Sequence, residues 1–112
     1  MFGNNGGHAA QMVKKGEWDK IDKKLNAFDE KTKVELAAAC GTSSDEKAPG
    51  ILIDLLKDRS PAVQLQAVQS LGLIGRDSTK THLMWLLDHL PENGEELRKA
   101  IQEALGKIGG KR

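Results

Sequence analysis

The sequence has 112 residues, 38% hydrophobic but only 4% aromatic, with 17 basic and 16 acidic side chains for a net charge of +1. That length suits one domain with a modest core, which aliphatic side chains and alanine must build. The balanced charge excludes the basic field that nucleic acid attracts. The single cysteine, Cys40, excludes an internal disulfide and suits a reducing compartment. The longest apolar run, Leu83–Leu87, is too short to span a bilayer. The opening MFGNNGG has neither the basic flank nor the apolar stretch of a signal peptide, and Phe2 stands where myristoylation needs glycine. The expected setting is the cytoplasm, without a membrane partner.

Taken in order, residues 1–8 are rich in glycine and asparagine and read as a flexible tail. A helical pattern follows from about Ala9. Trp18, Ile21, Leu25 and Phe28 share one helix face, and Gly16 either starts that helix or interrupts a longer one. Asp29 opens a turn. A second helix, about 31–40, turns Val34, Ala37 and Ala38 inward and stops at Gly41. After a polar loop, Pro49 fits the first turn of a third helix, about 47–57, that buries Ile51, Leu52, Leu55 and Leu56.

Ser60 is a natural N-cap and Pro61 a natural first residue for a fourth helix, 61–74, ended by Gly75. Its core positions are Val63, Ala67, Leu71 and Ile74. Ser78 or Thr79 caps a fifth helix, about 79–90, with Leu83, Met84, Leu86, Leu87 and Leu90 mostly inward. Asn93 with Glu96 reads as a capping box for a sixth helix, about 95–108, that buries Leu97, Ile101, Leu105 and Ile108.

The chain also repeats itself. VQLQAVQSLGLIG (63–75) matches LRKAIQEALGKIG (97–109) at an offset of 34, and ILIDLL (51–56) matches LMWLLD (83–88) at an offset of about 31. Helix-pair repeats of this length stack into solenoids. The expected fold is an all-α solenoid of three antiparallel helix pairs, six helices in all. It forms a single domain over 9–110, with repeats at about 17–41, 47–75 and 79–109. Gly72 and Gly106 fall inside helices, where glycine costs about 1 kcal/mol relative to alanine. That cost at one repeat position implies close helix–helix approach.

Asp58, Val63, Ala67, Leu71-Gly72 and Ile74-Gly75 in the middle repeat, and Arg98, Leu105-Gly106 and Ile108-Gly109 in the last, form a pattern that resembles HEAT repeats. The closest kind is the short variety named after phycobilisome lyases. The first repeat matches through Asp29, Val34 and Ala38 only. The resemblance implies a ladder of turn aspartates and inner-helix arginines. Gln64 and Glu35 replace the usual arginine in two repeats, so Arg98, paired with Asp58, is the one expected rung. Tetratricopeptide repeats share the period but expect tyrosine, which this chain lacks.

Inner helices of such stacks line a concave face. Turning about 100° per residue from the core places Leu65, Gln69 and Gly72 outward in the middle repeat. The corresponding positions are Leu36 and Cys40 in the first repeat and Lys99 and Glu103 in the last. Leu36, Leu65, Gln69, Lys99 and Glu103 are therefore the candidate partner-binding residues. His82, Trp85 and His89 form a secondary patch on the fifth helix. Its two histidines lie roughly 10 Å apart along the axis, too far to share one metal ion without further ligands. Cys40, at a helix C-terminus, reads as a small apolar residue rather than a nucleophile.

No acid–base pair, phosphate-cradling loop or nucleophile motif is present, so no catalytic residue, metal or cofactor is assigned. The expectation is a non-catalytic scaffold binding a protein or peptide. A bilin-lyase-like accessory protein and a nucleic-acid-binding HEAT-like protein are the alternatives. The chain is expected to be a monomer or a weak homo-oligomer through its N-terminal end, where Trp18 and Phe28 lie.

Overall fold

The computed structural model describes residues 5–109, with side chains from 8 to 109. The described residues form seven α-helices: α1 (Asn5–Lys14), α2 (Trp18–Lys24), α3 (Glu30–Cys40), α4 (Ala48–Leu55), α5 (Pro61–Ile74), α6 (Lys80–Asp88) and α7 (Glu95–Gly109). Short 3₁₀ turns extend α2 over Leu25–Ala27 and lead into α6 over Asp77–Thr79. Helices α1, α3, α5 and α7 pack side by side in one layer. Helices α2, α4 and α6 form the other, with α4 against α3 and α5, and α6 against α7. This is an α-solenoid of three helix pairs with one extra inner helix in front. The radius of gyration is 13.5 Å, close to the value of about 13 Å for a globule of this length. Three repeats are too few to lengthen into an open superhelix.

Local chemistry explains the boundaries. Asp29 accepts the Thr32 amide at 2.8 Å and Ser60 accepts the Val63 amide at 3.3 Å, so each caps the helix that follows. Pro61 then occupies the first turn of α5, where no amide hydrogen is required. Gly75 ends α5 in the left-handed conformation, φ 72°, which an L side chain adopts only with strain. Helix α7 begins after Gly94, whose carbonyl accepts from the Arg98 amide at 2.9 Å. Gly94 rather than Asn93 therefore holds the cap position.

The N-terminal region differs from the expectation. Asn5–His8, assigned to the tail, lie in α1; residues 1–4 fall outside the described residues. Ala9, Met12 and Val13 are buried against the rest of the layer, and that packing sustains a helix its glycines disfavour. Gly16 separates two helices. It adopts φ 70°, its amide bonds to Val13 O, and the Glu17 amide reaches back to Met12 O. This pair of bonds is the Schellman ending of a helix.

The core is aliphatic, running from Ile21 and Leu36 through Leu52, Leu55 and Leu71 to Leu83 and Ile101. Of the inward assignments, Val34 is only half-buried and two fail outright. Ala38 is exposed, and Met84 is 53% exposed because the face of α6 that packs inward is carried by Leu83 and Leu86. Trp18 is buried, and its Nε1 donates to Asp45 Oδ2 at 2.9 Å, tying the α3–α4 loop to α2. Phe28 is half-buried. The aromatic pair expected to make the N-terminal end adhesive is thus largely spent on packing, with α1 laid over α3.

Candidate functional site

Helix α5 lies between α3 and α7, so only a narrow strip of it is free. The inner helices begin at residues 30, 61 and 95, which sets offsets of 31 and 34 between repeats. The cap Asp29 is equivalent to the cap Ser60, not to Asp58. Aligning Asp29 with Asp58 displaces the first repeat by two residues, a rotation of about 200° on a helix. That slip is why Leu36 and Cys40 fail as surface positions: both are fully buried. In the structural register the outward positions of α3 are Val34 and Ala38.

The free face of the inner layer then reads as three rows. Val34, Leu65 and Lys99 are equivalent; so are Ala38, Gln69 and Glu103; so are Thr42, Leu73 and Lys107. Val34 and Leu65 are half-buried, and the other seven are exposed, Leu73 to 60%. Of the five expected residues, Leu65, Gln69, Lys99 and Glu103 share this face and Leu36 does not. The face is apolar over α3 and α5 and charged over α7. Leu73 and Ala38 were missed in the sequence, although the matching helix caps and the matching Gly41 and Gly72 carry the signal that locates them.

An open groove of about 1040 Å³ continues this face between α1 and α3, with Ala10, Ala38 and Ala39 as its small side chains. Glu35 lines it, and its Oε1 is buried without a hydrogen-bond partner. Lys14 and Lys15 stand on the same rim, so the groove carries charges of both signs.

The glycines mark the helix approaches. A Cβ on Gly41 would lie 2.6 Å from Ser70 Oγ, and one on Gly72 would lie 3.2 Å from Ala104 Cα. These are equivalent contacts at successive interfaces. The expected close approach thus holds for Gly72 and also for Gly41. Gly106 meets nothing within 4 Å and is exposed, because no inner helix packs on that side of α7 among the described residues.

The turn ladder differs as well. Asp58 pairs with Lys33 Nζ at 2.6 Å rather than with Arg98, and its second oxygen accepts the Ser60 amide at 3.0 Å. Burial pushes the Asp58 carboxyl up, but the Lys33 and Ser60 hydrogen bonds outweigh it and hold it below the usual carboxylate range. Ser60 Oγ donates to Glu30, adding a second link from α3 to this turn. Gln64 Nε2 donates to the Leu56 carbonyl at 2.9 Å, so the amide in the arginine's place binds the end of the outer helix. Arg98 is half-buried near the start of α7.

On the outer layer, Trp85 is 46% exposed and stacks on His89, ring centroids 4.1 Å apart and planes at 23°. His89 Nδ1 lies 2.7 Å from the Trp85 carbonyl, so that nitrogen carries the proton it donates. His82 is exposed one turn away. Among the described residues no group of three His, Cys, Asp or Glu side chains is placed to hold a metal ion. No described helix is long and apolar enough to cross a membrane. Cys40 is buried away from water, which pushes its thiol up to about 12, and a thiol so held is not a nucleophile.

The architecture defines an α-solenoid of paired helices whose inner layer leaves one broad face uncovered. HEAT repeats match residues 20–106, and the chain belongs to that family. The match is to HEAT repeats as a class. No curated protein and no solved structure matches the chain. HEAT repeats are generally protein-interaction scaffolds, and domains built from them are typically non-catalytic.

Proposed function

We propose that the chain is a non-catalytic interaction module that takes a protein or peptide partner on the free face of its inner layer. The observation that carries this reading is the exposed Leu73 with half-exposed Leu65 two turns before it on α5, an inner helix flanked on both sides. Packing does not need Leu73 there, and water disfavours it. Gln69 between them offers an amide to a partner backbone, and Lys99, Glu103 and Lys107 on α7 supply charges that set orientation. A surface this small fits one helix or one extended segment rather than a large globular interface. The acidic Glu35 and Glu103 among the lysines work against a nucleic-acid backbone. Nothing in the structure favours bilin attachment over peptide binding.

Affinity capture with wild type, a Leu73→Glu, Lys99→Glu variant and a Trp85→Ala variant tests the reading. The expected result is a partner retained by wild type and Trp85→Ala but lost by the double variant, whose circular dichroism and melting match wild type. A partner held equally by the double variant would refute the assignment of this face.

A further inference from the structure

The outer layer carries a second feature that the inner-face reading leaves unused. Between the end of α4 and the start of α6 lies a cleft of about 350 Å³, lined by Ile53, Leu56, Lys57, Thr81, His82 and Trp85. Its floor is aliphatic and its wall is an indole. The polar groups on its lining are one hydroxyl, one ammonium and one imidazole, and no carboxylate. Lys57 also borders a neighbouring cleft with Asp54, Asp58 and Asp22, but none of these carboxylates, nor Asp88 a turn beyond Trp85, lines this one.

One face of the Trp85 indole is already stacked against His89. His89 is held by its hydrogen bond to the Trp85 carbonyl, and its ring covers one face of the indole. An exposed tryptophan packed on one face leaves the other free to serve as an interface anchor.

We propose that this cleft docks an acidic segment of a partner protein through a single apolar side chain. A leucine or phenylalanine side chain would lie against Ile53, Leu56 and Trp85. Carboxylates on either side of it in the partner sequence would meet Lys57 and His82. Charge complementarity selects this occupant: a basic segment would bring like charges onto Lys57. A nucleotide strand is disfavoured because stacking on the indole is already taken on one face by His89 and the floor is aliphatic rather than polar.

The chain has two tryptophans, and only Trp85 is exposed, so its indole N–H signal reports this cleft while that of Trp18, bonded to Asp45, serves as a control. The ¹⁵N-labelled protein is titrated with a short acidic peptide carrying one leucine, the same peptide with serine for leucine, a lysine-for-acid version, and an oligothymidylate. Loss of one signal in Trp85→Phe assigns the resonance. The expected result is a saturable shift of the Trp85 signal with the acidic leucine peptide alone. Lys57→Glu should weaken that binding about tenfold, and Gln102→Ala, exposed on α7 in the opposite layer, should leave it unchanged. Absence of a shift at about 1 mM peptide, the weak limit of specific recognition, would overturn the proposal. So would an equal response to the serine or lysine peptide, or a preference for the oligonucleotide.

Discussion

Three glycines hold equivalent positions, Gly41 just past the end of α3, Gly72 within α5 and Gly106 within α7, and alanine at each should give three different answers. At Gly106 a new Cβ meets nothing within 4 Å. Alanine there removes the helix penalty of glycine, so Gly106→Ala should stabilise the protein by about 0.5–1 kcal/mol. For a domain of this size that raises Tm by roughly 3–6 °C. At Gly72 the same gain is offset by a Cβ 3.2 Å from both Cα and Cβ of Ala104, and a backbone atom cannot swing aside. Gly72→Ala should be neutral to destabilising by about 1 kcal/mol. At Gly41 the contact falls to 2.6 Å from Ser70 Oγ and 2.8 Å from its Cβ. Ser70 is held there by donating to the Ala37 carbonyl at 2.7 Å, so relief requires the helices to part or that buried bond to break. Gly41→Ala should cost about 2–3 kcal/mol. Urea and thermal melts followed by far-ultraviolet circular dichroism measure all three. A destabilised Gly106→Ala, or a neutral Gly41→Ala, would refute the inter-repeat packing described here.

The remaining predictions concern charge and the buried thiol. Asp58, Asp29 and Asp45 all lie below the usual carboxylate range in the folded protein. In Asp29 the Thr32 side-chain and backbone bonds are the leading cause; in Asp45 it is the Lys47 amide, then Trp18. A carboxyl depressed on folding contributes stability above its unfolded value of about 4 and loses it as pH falls through the folded value. Urea stability should therefore be flat near neutrality and fall below about pH 4, with a shallower fall in Asp58→Asn. Lys33→Met should cost about 2 kcal/mol at neutral pH, since it strands a mostly buried carboxylate; a cost near zero would show the pair to be incidental. Cys40 should resist a thiol reagent at pH 8 in the folded protein and react at once in urea, and fast labelling of the native state would contradict its burial.

The sequence was most legible where one residue type has one physical use. Ser60, Pro61 and Gly75 bound α5 at the residues expected, because a cap oxygen, a ring without an amide hydrogen and a left-handed glycine have few substitutes. The offset of 34 between the second and third repeats also held, carried by paired Leu-Gly and Ile-Gly steps. The first repeat was misplaced because its aspartate resembles the turn aspartate of the next repeat while serving as a helix cap. A two-residue slip leaves a helix pattern plausible yet exchanges its buried and exposed sides, and that moved Leu36 and Cys40 into the expected site. The ladder partner of Asp58 was illegible for another reason. Lys33 reaches it from 25 residues earlier, through a flexible side chain with no fixed motif spacing.

The aligned positions of α5 and α7 separate what the fold requires from what it leaves free. Toward the core, Val63 and Leu97, Ala67 and Ile101, Leu71 and Leu105 all stay apolar, and the small Ser70 and Ala104 stay small. Toward the open face, Leu65 gives way to Lys99, Gln69 to Glu103 and Leu73 to Lys107. Stacking constrains only the first set, because each inner helix must accept the next at the same depth. An outward position is under no such constraint, so a solvated helix would carry charge there, as α7 does. Leu65 and Leu73 depart from that rule on α5, which like α3 is flanked by an inner helix on each side. Leu65 still packs against the core from its half-buried position, whereas exposed Leu73 has no such role, and Leu73→Glu tests whether a ligand uses it without disturbing a core contact.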